Sequence, residues 1–135
     1  MRKYIALGVI SVLLSACQTA PQRGDGSALS EAEVRRLFVG NTVESYNLNT
    51  KLNSFTYYHP NGQAFQERLW RQRLGSWSIT DDGRICLGFT KKAPKCRHIV
   101  LDGGKYYKVR PDAEGKAEKI VRYRYFAEGN TLSKK

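Results

Sequence analysis

Three hydrophobic periods divide the chain. Residues 4–14 form one largely apolar run, Val34, Leu37 and Phe38 repeat at i, i+3 and i+4, and from Thr42 onward short alternating or aromatic-rich runs follow one another about every ten positions. The third pattern predicts eight strands, at residues 42–46, 54–58, 63–71, 75–79, 84–89, 96–101, 105–109 and 119–126. The breaks between them have a mechanism. His59-Pro60-Asn61-Gly62 fixes φ with proline and accepts left-handed geometry at Asn and Gly, and Asp81-Asp82-Gly83 and Asp102-Gly103-Gly104 act similarly. Tight turns between consecutive strands imply an antiparallel meander. About eight short strands remove their exposed edges by curling into a small closed or nearly closed barrel, so the expected fold is mainly β.

One short helix precedes the strands. Ser30 is placed as N-cap, Glu33 completes a capping box, Leu29 and Val34 form a hydrophobic staple, and Gly40 supplies the stop. Parity then sorts the strands. Ile85, Leu87 and Phe89 face one way, with Ile99 and Leu101, while Cys86 and Cys96 face the other. Trp77 with Ile79, Phe65 with Leu69, Phe55 with Tyr57, and Val121 with Tyr123 and Tyr125 are the other expected inward residues.

The leading apolar run follows Arg2 and Lys3 and ends in small residues, the layout of a secretory signal. Eleven residues of helix reach roughly 16 Å, about half of a hydrocarbon core, which is too short to anchor the chain by spanning. The run closes on Leu14-Ser15-Ala16-Cys17. In this the chain resembles the bacterial lipoproteins, whose signal ends in a lipobox. The resemblance implies that residues 1–16 are removed and that Cys17 is acylated as the first residue of the mature chain. Gln18 rather than Asp after the cysteine resembles an outer-membrane sorting signal, with the domain facing the periplasm. Two or three acyl chains on one residue would hold it there, since each buried CH₂ contributes about 0.8 kcal/mol.

Residues 17–29 then read as the lipidated cysteine and a flexible Pro-, Gly- and Ser-rich tether, and residues 30–135 as a single domain. Arg23-Gly24-Asp25 matches a cell-adhesion tripeptide in letters only, as such a linker often does by chance. Cys86 and Cys96 remain as a pair in an oxidising compartment, where a disulfide closing about eleven residues removes roughly 2.7 kcal/mol of chain entropy. The rival is metal ligation by Cys86, Cys96 and His98, whose spacing matches no usual zinc pattern.

From Gly40-Asn41-Thr42-Val43 through Tyr58-His59-Pro60-Asn61-Gly62, Gly75-Ser76-Trp77 and Asp82-Gly83-Arg84-Ile85-Cys86, the domain resembles a family of short exported bacterial proteins of unknown function. In plan it also resembles small lipocalin-like barrels. These are turn and core residues, so the resemblance bears on fold.

The chain has 135 residues and a net charge of +11, and loss of the leader with Arg2 and Lys3 leaves it near +9. Such a domain is drawn to anionic lipid, lipopolysaccharide phosphates or an acidic envelope protein, and the expected address excludes nucleic acid. Two basic-aromatic stretches and one loop are the candidate anion-binding residues: Arg68, Trp70, Arg71 and Arg73; Arg122 and Arg124; and Lys91, Lys92 and Lys95. Strand parity puts Arg68 and Trp70 with Gln72, Arg71 and Arg73 with Leu69, and Arg122 and Arg124 with Phe126.

Signals for catalysis are weak. His59 lies in a predicted turn and His98 beside Cys96, the carboxylates sit in turns or on the helix, and neither a phosphate loop nor a metal-ligand cluster is present. The expectation is a non-catalytic, lipid-anchored protein that needs no cofactor and binds an anionic envelope component. An inhibitor or accessory subunit of an envelope assembly, and a lipocalin-type carrier of a hydrophobic molecule, are the alternatives. A lysozyme inhibitor is disfavoured because lysozymes are generally basic and would be repelled.

Overall fold

The computed structural model describes residues 25–133. The leader, Cys17 and the first part of the tether lie outside the described residues. The fold is mainly β: ten antiparallel strands in one sheet, with one short helix.

The helix, α1 (Glu31–Phe38), starts where the sequence places it. Ser30 N–H donates to Glu33 Oε2 at 2.7 Å, and Ser30 Oγ accepts from Glu33 N–H at 3.3 Å. Val34 and Phe38 are fully buried and Leu29 nearly so. Phe38 meets Tyr58, Tyr123 and Phe126 edge-on at 5.0, 5.1 and 5.6 Å, so eight residues of helix are held by one aromatic cluster rather than by propensity.

The strands are β1 (Asp25–Ala28), β2 (Asn41–Asn47), β3 (Asn53–Tyr58), β4 (Gln63–Arg68), β5 (Arg71–Ile79), β6 (Ile85–Gly88), β7 (Lys95–Arg97), β8 (Ile99–Asp102), β9 (Lys105–Pro111) and β10 (Ala117–Glu128). Their order in the sheet is β1-β8-β9-β10-β2-β3-β4-β5-β6-β7. β1 forms within the stretch that composition assigns to the tether, and pairs with β8 from Asp25↔Asp102 to Ala28↔Val100. β7 pairs with β6 and β8 with β9. Only His98 separates them, and its carbonyl accepts from Val109 N–H at 3.0 Å. The two ends of the hydrogen-bonded order are β1 and β7.

Three expectations are corrected. Residues 63–71 are not one strand: Leu69 and Trp70 form a two-residue turn at φ 49° and 60°, and Arg68 pairs directly with Arg71. No Gly, Asn or Asp marks that turn, which is why the pattern runs through it. The predicted strand at 96–101 is broken at His98, where the chain changes partners.

The third correction concerns parity. Thr56, Tyr58, Ala64 and Gln66 are the buried residues of β3 and β4, while Phe55, Tyr57, Phe65 and Leu69 are not. Tyr58 opposes the small Ala64, which opposes Gly75; this row leaves room for the Tyr58 ring against Phe38 and Trp77. The outward aromatics are not bare. Tyr57 stacks on Phe65, and the C-terminal segment is tied across this face by Thr131 N–H to Thr42 Oγ1 at 3.0 Å and Gln72 Nε2 to Ser133 O at 3.3 Å. On β10 a bulge places two residues, Arg124 and Tyr125, where β2 advances by one. Parity flips there, so Phe126 joins Tyr123 against the core and Tyr125 is exposed.

The meander places turns alternately at two ends. The helix, the 59–62 turn, the 80–84 turn and the 103–104 turn share one end, where the apolar core of Val43, Tyr58, Trp77, Ile85 and Ile99 sits. The connections 48–52, 69–70, 89–94 and 112–116 share the other. Toward that second end the inner face turns polar: Ser45, Ser54, Thr56 and Gln66 line it with Arg68, Arg73 and Lys108.

Candidate functional site

The polar inner face continues into a cleft of about 410 Å³ lined by six cations: Arg73, Lys92, Lys95, Arg97, Lys108 and Arg110. Among the described residues no carboxylate lines it. Leu87, Phe89 and Ile120 give it an apolar floor. An adjoining space of about 140 Å³ shares Arg73, Leu87 and Lys108 with the cleft.

Each cation reaches the cleft for a local reason. Arg97 shares the parity of Ile99 and Leu101, and its register partner is the buried Ile85. Lys108 shares the parity of Tyr106 and sits opposite Val121 and Ile99. Arg73 reaches inward from β5, directly opposite Gln66. Its Nε donates to Gln66 Oε1 at 3.2 Å and its Nη2 donates to the same oxygen, while Gln66 Nε2 donates to Thr56 Oγ1 at 3.0 Å. The guanidinium also lies 4.4 Å from the centre of the Phe89 ring. Lys92 enters from the β6–β7 connection and Lys95 from the first position of β7, in a hairpin that the bonded Cys86–Cys96 pair ties at its base.

Electrostatically the site is uncompensated. Burial, and then the Arg97 charge, push Lys108 down to about 8. Its ammonium has no acidic partner among the described residues and lies 6.0 Å from the centre of the Tyr123 ring. Arg73 is likewise lowered, by burial and by Arg68. Arg110 alone is paired, to Glu118 Oε2 at 2.9 Å. Burying a cation costs free energy unless an opposite charge meets it, and here three inward cations share a cleft that no carboxylate lines.

The candidates read from sequence therefore separate into three places. Arg73, Lys92 and Lys95 come together in the cleft, and Lys91 is exposed on the same connection. Arg68, Trp70 and Arg71 lie at the β4–β5 turn. Arg68, Arg71 and Arg73 share the inward face, which corrects the parity expected from an uninterrupted strand. Arg122 and Arg124 lie on the outer face with Tyr46, apart from the inward Phe126. There Arg124 stacks 3.9 Å from the Tyr46 ring centre and reaches Glu44 Oε1 at 4.0 Å. Arg97, Lys108 and Arg110 were missed, although the parity of Arg97 with Ile99 and of Lys108 with Tyr106 was readable.

Among the described residues no group of three His, Cys, Asp or Glu side chains is placed to hold a metal ion. His98 Nε2 lies 3.8 Å from Asp82 Oδ2, and hydrogen bonds from Thr80 and Arg84 hold the Asp82 carboxyl down to about 2. No helix among the described residues is long and apolar enough to cross a membrane. Comparison with known proteins finds neither a matching family nor a matching curated protein.

Proposed function

We propose that this is a non-catalytic, lipid-anchored protein of the bacterial cell envelope whose domain binds an anionic group in the basic cleft. The anchor rests on the Leu14-Ser15-Ala16-Cys17 lipobox and places the domain at the periplasmic side of the outer membrane. The cleft supports the ligand class: Arg73, Arg97 and Lys108 converge with no lining carboxylate. Phosphate groups of lipopolysaccharide or of an anionic lipid supply that chemistry, with the guanidiniums as bidentate donors.

A barrel is part of this reading. The run from β7 through His98 to β8 bonds to β6 at its start and to β9 at its end, which supports a sheet that returns on itself through one shared strand. The carrier alternative has less behind it, because aromatic side chains fill the apolar half and the remaining inner space is small and polar.

Binding to lipopolysaccharide and to phosphatidylglycerol vesicles tests the reading. Retention should fall steeply as salt rises, and Arg97→Gln with Lys108→Gln should weaken it about tenfold or more, whereas Arg122→Ala with Arg124→Ala should leave most of it. Salt-insensitive binding, or equal binding by the cleft variant, rejects the proposal; capture of one envelope protein by crosslinking in its place favours an interaction module. Cys17→Ser should abolish acylation and membrane attachment, and unchanged attachment would remove the anchor from the account.

A further inference from the structure

The four residues Arg68-Leu69-Trp70-Arg71 combine features that each cost free energy in water. Leu69 and Trp70 both hold left-handed backbone, at φ 49° and 60°, where a two-residue hairpin turn favours Asn-Gly. Trp70 is 92% exposed and Leu69 53% exposed, at the most protruding part of the hairpin. Arg68 and Arg71 are direct cross-strand partners, so two like charges face each other. A sequence tuned only for folding would keep none of the three.

A single environment relieves the exposure and the repulsion together. Tryptophan is favoured at the boundary between headgroups and acyl chains, leucine just beneath it, and paired arginines on lipid phosphates no longer repel. The surroundings agree in charge. The connections that share this end carry Lys51, Lys91, Lys92 and Lys116 against Asp112 and Glu114, Lys95 opens β7 beside them, and Glu67 on the tip's own hairpin is engaged by Gln72 Nε2 at 3.4 Å, so the end is net basic. We propose that the Leu69–Trp70 turn seats in the interfacial zone of an anionic bilayer, with Arg68 and Arg71 on the headgroup phosphates. This contact is separate from the cleft and does not depend on its ligand.

The chain's two tryptophans make the test direct, because Trp77 is buried, with its Nε1–H donating to His59 O at 2.8 Å. The native full-length product is reconstituted into phosphatidylcholine vesicles with and without phosphatidylglycerol, the acyl chains brominated near the headgroup. In the anionic vesicles Trp70 emission should shift to the blue and be quenched by lipid bromine, and acrylamide should no longer reach it. Trp70→Ala should leave only the unquenched Trp77 signal, which also shows that the variant is folded. Arg68→Gln with Arg71→Gln should lose at least half of the quenching, and the cleft variant Arg97→Gln with Lys108→Gln should retain it. Emission that stays open to acrylamide and unquenched by lipid, or quenching lost in the cleft variant but kept in the arginine-pair variant, would overturn the proposal. Shielding of Trp70 by a bound protein without lipid quenching would overturn it equally.

Discussion

Arg73 and Gln66 face each other across β4 and β5, and both guanidinium hydrogen bonds end on the one amide oxygen. The amide nitrogen is spent on Thr56, so the chain Arg73–Gln66–Thr56 fixes how far the guanidinium extends toward the cleft. The buried Gln66 on β4 thus positions Arg73 at the edge of the cleft, and the proposed anion site depends on it. Gln66→Leu should cost about 1–3 kcal/mol by leaving Arg73 and Thr56 unsatisfied, as measured by denaturant unfolding. It should also weaken anion binding, and so should Gln66→Glu, whose carboxylate would pair with Arg73 and repel the anion; binding unchanged by both would show that Gln66 only supports the fold.

Phe38 joins helix and sheet through three edge-on ring contacts. Phe38→Ala should therefore destabilise by about 3–5 kcal/mol, and Phe38→Leu by clearly less. Thermal unfolding followed by far-ultraviolet dichroism reads both. A loss below about 1 kcal/mol for the alanine variant would mean that the helix is peripheral to the core.

The strained turn makes an opposite prediction. Replacing Leu69 by Asn and Trp70 by Gly supplies the residues a left-handed two-residue turn favours, and removes exposed apolar surface. The double variant should be more stable by about 1 kcal/mol or more in denaturant. Unchanged or reduced stability would show that the tip makes contacts within the domain that hold it.

These sites show what the alternating pattern decides and what it leaves open. Ser30, Glu33, Val34 and Phe38 announce the helix because cap, box and period agree, and Trp77, Ile85, Leu87 and Ile99 face inward as parity requires. On β3 the two faces offer Phe55 with Tyr57 or Thr56 with Tyr58, almost equal in hydrophobicity, so only packing against Phe38 and Ala64 chooses between them. Arg124 adds one residue to β10 and reverses every position after it, and a bulge without Gly leaves no mark in the sequence. The cleft was half legible. Arg73, Lys92 and Lys95 stand in basic runs, but Arg97 on β7 and Lys108 on β9 lie outside those runs, and only the fold brings them together.

Lys108 gives the domain a distinctive pH dependence. Its folded-state value near 8 lies below the ordinary lysine value, so between the two the unfolded chain binds the extra proton. Stability of the ligand-free protein should rise as pH increases from about 8 toward 10 and fall as pH returns through 8. Above about 10 the trend should reverse, because burial raises Tyr58 and Tyr123 and their ionisation favours the unfolded chain. Melting temperature measured across pH 7 to 11 checks the shape, and Lys108→Met should flatten the rise. A maximum at neutral pH in the unaltered protein would contradict a half-buried, unpaired Lys108.

The most direct measurement is a nuclear magnetic resonance titration of the side-chain nitrogens with inorganic pyrophosphate at low salt. An anion seated in the cleft should shift the Arg73, Arg97 and Lys108 signals together along one saturation curve, raise the Lys108 titration midpoint, and leave Arg122 and Arg124 in place. Shifts spread evenly over the surface arginines, with Lys108 titrating as before, would contradict the account.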